Sequence, residues 1–201
     1  MEAKPKPTVG SVFKKVWLQA FTVWLVFFVT LSLFPGVVTM IKPYPDADSL
    51  VSLSSGSSSS FIDNSSTVDF LTDWFSLILI TLFMIFDFVG RYLPSCFVIC
   101  SPGTLWIPVG IRLAFFPMFA LLAAGIWTSG AVFWAPIVVI VFAFTNGYFS
   151  TVAMIFGPSK ADQDEMDIAS TIMSFALNFG ILCGSFFSLL MLYLINGKLT
   201  I

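Results

Sequence analysis

Long apolar runs separated by short polar stretches set the pattern of the chain. The runs cover residues 16–40, 74–95, 105–127, 132–156 and 168–195, each at least 22 residues long. About 20 mainly apolar residues are enough to cross the hydrocarbon core of a bilayer as a helix. The pattern therefore predicts an all-α membrane protein with five transmembrane helices. Between the runs lie a polar arm at 1–15, a long loop at 41–73, a link at 96–104 with the turn signal Pro102-Gly103, a tight turn at 128–131, a charged loop at 157–167 and a tail at 196–201.

Charge placement orients the runs. Lys4, Lys6, Lys14 and Lys15 lie just ahead of the first one, and excess Lys and Arg mark the cytoplasmic side. This predicts a cytoplasmic arm 1–15, an external loop 41–73, a cytoplasmic loop 157–167 and an external tail 196–201, with the two ends on opposite sides. The first run is too long for a signal-peptide core and no small-residue cleavage site follows it. The loop 41–73 is acidic, with Asp46, Asp48, Asp63, Asp69 and Asp73 against Lys42, and carries the low-complexity run SLSSGSSSS. Asn64-Ser65-Ser66 is a glycosylation sequon, usable if that loop is luminal or extracellular.

Composition removes several classes. The chain is 58% hydrophobic and 10% charged with mean hydropathy +0.97, whereas about a quarter of the residues in soluble domains are charged. No basic patch with interleaved aromatics points to nucleic acid. Histidine is absent, which removes Ser–His and Cys–His catalysis and His-containing metal sites. The cysteines are Cys96, Cys100 and Cys183, with no second pair to complete a zinc site. Asp162, Asp164, Glu165 and Asp167 cluster in the loop 157–167, where acids favour the first turn of a helix. No metal, cofactor or enzymatic site is expected.

Candidate chemistry lies inside the second run. Between Trp74 and Pro94 the only ionisable side chains able to carry opposite charges are Asp87 and Arg91. An ionised side chain at mid-bilayer costs about 2.5–3.5 kcal/mol on insertion scales, so two in one span need a reason. Four residues apart, they share a helix face with Ile80 and Met84, and Gly90 leaves room beside them. Two readings stay open: an internal ion pair, with Arg91 free to snorkel, or a substrate-facing pair in a translocation path. Arg112 in the third run has the same choice between snorkelling and lining a cytoplasmic vestibule with Arg91. Asn146-Gly147 in the fourth run reads as interhelical packing by default. The fifth run is rich in small residues, with Gly180 and Gly184 at contact-motif spacing and Asn178 as its deepest polar group.

Taken jointly, these runs resemble the C-terminal half of the equilibrative nucleoside transporters. The marks are FVTLSLFPGV, FDFVGRY, WIPVGIRLAFFPMF, FAFTNGYFSTVAMIFGP and ASTIMSFALNFGILCGSFFS, in the family's order from about Val9 to the end. The resemblance implies a major-facilitator-like arrangement and facilitated transport of nucleosides and, in some members, nucleobases. It implies that Asp87 and Arg91 bind the nucleoside and that Arg112, Asn146, Gly180 and Gly184 support the cavity or its packing. Met84 departs from the polar residue the family often has there. Spans one to six of the family have no counterpart, so a truncated product is expected, completed by the missing N-terminal half or a homologous transporter. The alternative is a non-transporting subunit or regulator of full-length transporters. The plasma membrane is the expected location, with intracellular membranes as the alternative, and proton linkage is left open.

Overall fold

A computed structural model describes residues 8–41, 64–123 and 131–196. Among these residues the secondary structure is helical, with no strand. The helices are α1 (Val9–Leu33), α2 (Asn64–Tyr92), α3 (Trp106–Ile111), α4 (Phe115–Ala123), α5 (Ala131–Ser159) and α6 (Met166–Asn196). A 3-10 turn at Arg112–Ala114 joins α3 to α4, so the two form one interrupted rod. Five helical segments among the described residues are long and apolar enough to cross a membrane.

Helix boundaries depart from the apolar runs for local reasons. α1 starts at Val9, inside the predicted arm, and carries Lys14 and Lys15 in its first two turns. It stops at Leu33, before the predicted end at 40, because Pro35 follows. Proline has no N–H to continue the ladder. Phe34 is extended, its N–H still bonds the Thr30 carbonyl at 2.8 Å, and the Phe34–Pro35 peptide is cis. α2 starts at Asn64, ten residues before the predicted span, so 64–73 are helix rather than loop and the sequon opens that helix. Val68, Leu71 and Phe75 already follow helical spacing there. In the third run, Pro117 cannot donate to the Leu113 carbonyl, and the tighter 3-10 turn lies just before it. The arm 1–7, the loop 42–63 with its Ser-rich run, the turn at 124–130 and the tail 197–201 lie outside the described residues.

α1 is the hub. Its buried residues include Val12, Val16, Gln19, Val23, Val26, Thr30 and Leu33 on one stripe and Thr22 and Val29 on another, and beyond Phe21 none of its residues is exposed. A helix buried on several sides is one that others pack around. α6 lies along α1 most extensively, α5 packs against both, and α2 lies along α5. Two apolar clusters form the core. One joins Val29 and Leu33 of α1 to Leu79 and Phe83 of α2, Phe119 of α4, and Val139 and Phe142 of α5. The other joins Val23 and Phe27 of α1 to Val152 of α5 and Met173 of α6.

The acids of the loop 157–167 do more than open a helix. Lys15 Nζ donates to Asp162 Oδ2 at 2.9 Å and to Glu165 Oε2 at 2.6 Å. These pairs tie the start of α1 to the turn between α5 and α6, a link of 147 and 150 residues in sequence. They lie at the polar end of the bundle, where exposed pairs contribute about 0–1 kcal/mol.

Candidate functional site

The two apolar clusters leave a polar layer between them. Along α5 the first cluster ends at Ala143 and the second begins at Tyr148. Thr145 and Asn146 fall in the gap. Thr30 of α1, Asp87 of α2 and Arg112 of the α3–α4 turn meet them there.

Asp87 is the outermost anchor of this layer. Its Oδ2 accepts from Arg91 Nε at 2.8 Å, one helical turn along α2. Its Oδ1 accepts from Asn146 Nδ2 at 2.6 Å, across to α5. The Asp87 side chain keeps 15% of its exposure and Arg91 keeps 44%. The pair is thus held from behind by the bundle and open in front. Each carboxylate oxygen can accept more than one hydrogen bond. Arg91 spends only Nε on Asp87, which leaves its terminal nitrogens as donors for a ligand.

Two glycines bring α2 and α5 close enough for this. Gly90 of α2 lies against the Phe144 carbonyl of α5, and Gly147 of α5 lies against the Asp87 carbonyl of α2. A Cβ at either position would run into backbone. Small residues at a crossing are what let two membrane helices approach.

Arg112 departs from both of its expected settings. It neither snorkels nor lines a vestibule with Arg91, since it is 1% exposed and turned inward. Nη1 donates to Thr145 Oγ1 at 2.6 Å and to the Phe142 carbonyl at 3.2 Å. Nη2 donates to Thr30 Oγ1 at 3.0 Å and reaches Asn146 Oδ1 at 3.5 Å. The guanidinium carbon lies 4.9 Å from the centre of the Phe142 ring, a cation–π geometry. Nε alone has no hydrogen-bond partner. The planar fork matches acceptors on two helices at once, and that fit holds the charge inside.

Thr30 closes the layer. Its hydroxyl lies 2.6 Å from Asn146 Oδ1 and 2.8 Å from the Val26 carbonyl. Neither Thr30 nor Thr145 stands out in the sequence, where each is one hydroxyl in a long apolar run. Of the other predicted residues, Asn146 joins the site, whereas Gly180 and Gly184 lie on the α1–α6 face. A Cβ there would come within 2.6 Å of the Trp24 carbonyl oxygen and 2.8 Å of the Phe28 one. Ile80 is half-buried, and Met84, 59% exposed, faces outward. Asn178 is exposed and bonds the Ser174 carbonyl of its own helix at 2.9 Å. The side chain of Asn64 is outside the described residues. A cavity of about 240 Å³ lies nearby, lined by Leu93, Ile99, Cys100, Phe144, Thr145, Tyr148 and Phe149. Asp87 and Arg91 are not in its wall; of the pair, Arg91 is the one that reaches the bundle surface.

Comparison with known proteins gives this arrangement a family. The profile described as nucleoside transporter matches residues 3–193. Rat equilibrative nucleoside transporter 2 is 31% identical over 192 residues, covering 92% of this chain and 38% of the relative. Human equilibrative nucleoside transporter 1 is 31% identical over 192 residues, 91% of this chain and 38% of that protein. The Arabidopsis thaliana equilibrative nucleotide transporter 8 is 31% identical over 182 residues, 89% and 40% respectively. The chain thus spans about two-fifths of the length of these relatives. A match that runs through all five membrane-spanning segments and the charged layer between them makes the chain an integral membrane protein belonging to the nucleoside transporter family.

Proposed function

We propose that this chain forms one wall of a nucleoside-binding site in a facilitative membrane transporter, with Asp87 and Arg91 as the groups that touch substrate. The observation that carries this reading is the setting of the pair: anchored from behind by Asn146, open in front, and inside a span. Hydroxyls of a ribose donate to the carboxylate, and the free end of the guanidinium donates to ribose or base acceptors. An ion pair of this kind within a membrane marks a substrate path more readily than a lipid-facing surface. Transporters of related architecture place their sites between two bundles, so the opposing wall would come from a segment equivalent to the rest of its longer relatives.

Uptake of a radiolabelled nucleoside in transport-deficient cells tests this. The chain is expressed alone and together with the part of the rat relative outside the matched region. Wild type, Asp87→Asn and Arg91→Ala are compared at equal surface expression. Loss of a charged hydrogen bond to substrate costs about 1.5–3 kcal/mol, so saturable uptake should fall about 10- to 150-fold in each variant. Equal uptake from all three discards the assignment of the site.

A further inference from the structure

We infer that Asn146 is a positioning residue for Asp87, and that Arg112 and Thr30 act behind it by fixing which way its amide faces. Asn146 is 2% exposed and lies between a carboxylate and a guanidinium. A primary amide has a donor end and an acceptor end. Arg112 Nη2 can only donate, so it takes the oxygen end, as does the Thr30 hydroxyl when it donates. The NH2 end is then left for Asp87, which can only accept when ionised. The reversed amide would set two donors face to face at Arg112 and two acceptors face to face at Asp87. The mismatch at Arg112 would be fully buried, which is the costly case, and the one at Asp87 part-buried.

The consequence is a relay across four elements. Arg112 and Thr30 orient Asn146, Asn146 holds Asp87 Oδ1, and Arg91 holds Oδ2. The carboxylate rotamer is therefore set by α1 and α5 and the α3–α4 turn as well as by α2. Arg112 never touches the open face, yet its charge determines the geometry presented there. Its bearing on transport rests on the nucleoside site proposed above; its bearing on the fold does not.

An exchange of the two side chains tests the relay. In Asp87→Asn alone, one amide cannot accept from both Asn146 and Arg91 without meeting a donor with a donor. In Asn146→Asp alone, two carboxylates meet. In the double variant Asp87→Asn/Asn146→Asp, the relocated carboxylate on α5 accepts from Arg112, from Thr30 and from the NH2 group of the amide now on α2. The oxygen of that amide accepts from Arg91. The thermal unfolding midpoint of the purified chain in detergent should drop in each single variant and recover by at least half in the double. A double variant as unstable as the two losses summed overturns the relay. Nucleoside uptake separates this from the site assignment. Recovered stability without recovered uptake is the expected result, because the carboxylate has left the open face. Recovered uptake as well would overturn Asp87 as the substrate contact while keeping the relay. A milder pair guards against misfolding: Thr30→Val should raise KM about 3- to 10-fold at unchanged surface expression. Thr30→Ser, which keeps the hydroxyl, should match wild type; an unchanged KM and midpoint in Thr30→Val overturns the part assigned to Thr30.

Discussion

Arg112 shows how far a side chain can stand from the setting its position suggests. Counted along the third run it lies near the start, where long cationic stems ordinarily reach the interface. Instead its fork divides between α1 and α5 through Thr30 and Thr145. A lysine offers one nitrogen where this site uses two, so Arg112→Lys leaves buried acceptors without donors. We expect a loss of about 1–3 kcal/mol in the unfolding free energy of the purified chain, read from detergent-phase thermal or denaturant unfolding. Arg91→Lys, at an exposed side chain, should shift it by less than about 1 kcal/mol. The Asp87–Arg91 bond was legible from the sequence because both residues are on one helix, four apart. The Asp87–Asn146 bond, 59 residues apart, was not, since no local period joins positions on different helices. The same holds for Thr30, whose importance comes wholly from what α5 and the α3–α4 turn bring to it.

Among the elements, the α2–α5 crossing decides the geometry of the site. Gly90 and Gly147 each face a carbonyl of the opposite helix, so the backbones themselves are in contact. Backbone cannot swing aside as a side chain can, and Gly147→Ala forces the helices apart. Overpacking of this kind costs about 1–3 kcal/mol. Thermal unfolding of Gly147→Ala should register that loss, and Gly103→Ala, with nothing within 4 Å of its added Cβ, should stay within about 0.5 kcal/mol of wild type. Helix existence followed directly from the apolar runs. Helix ends did not, because hydrogen bonding continues past the apolar stretch wherever the next residues tolerate it. α2 begins at Asn64 for that reason, while α1 stops early at a proline. The small-residue spacing of Gly180 and Gly184 is visible in sequence, but which helix they meet, α1 at Trp24 and Phe28, is visible only in the packed bundle.

For the molecule as a whole, the outward faces differ in how many polar side chains they carry. α1 presents Phe13, Trp17 and Phe21, and α5 presents Phe133 and Ile137, all apolar. α2 presents Thr81 and Arg91 among Leu77, Ile78, Met84, Ile85 and Phe88, and α6 presents Ser170, Thr171, Ser174, Asn178 and Ser185 among Phe175, Phe179, Leu182 and Phe186. Lipid suits the first set; polar side chains inside a membrane usually face protein or water. In a background with Cys96, Cys100 and Cys183 replaced, a charged, membrane-impermeant thiol reagent should label Met84→Cys and Ser174→Cys. It should leave Phe21→Cys unlabelled when the chain is assembled with the complementary segment. Labelling at Phe21→Cys alone would mean that the faces are assigned the wrong way round. The direct backbone contact at Gly90 and Gly147 also constrains motion. Neither helix can slide past the other without first lifting away, so the carboxylate and the amide that holds it travel together. Any rocking of this bundle would carry Asp87 and Asn146 as cargo fixed to one frame, with the bending left to the joints outside that crossing.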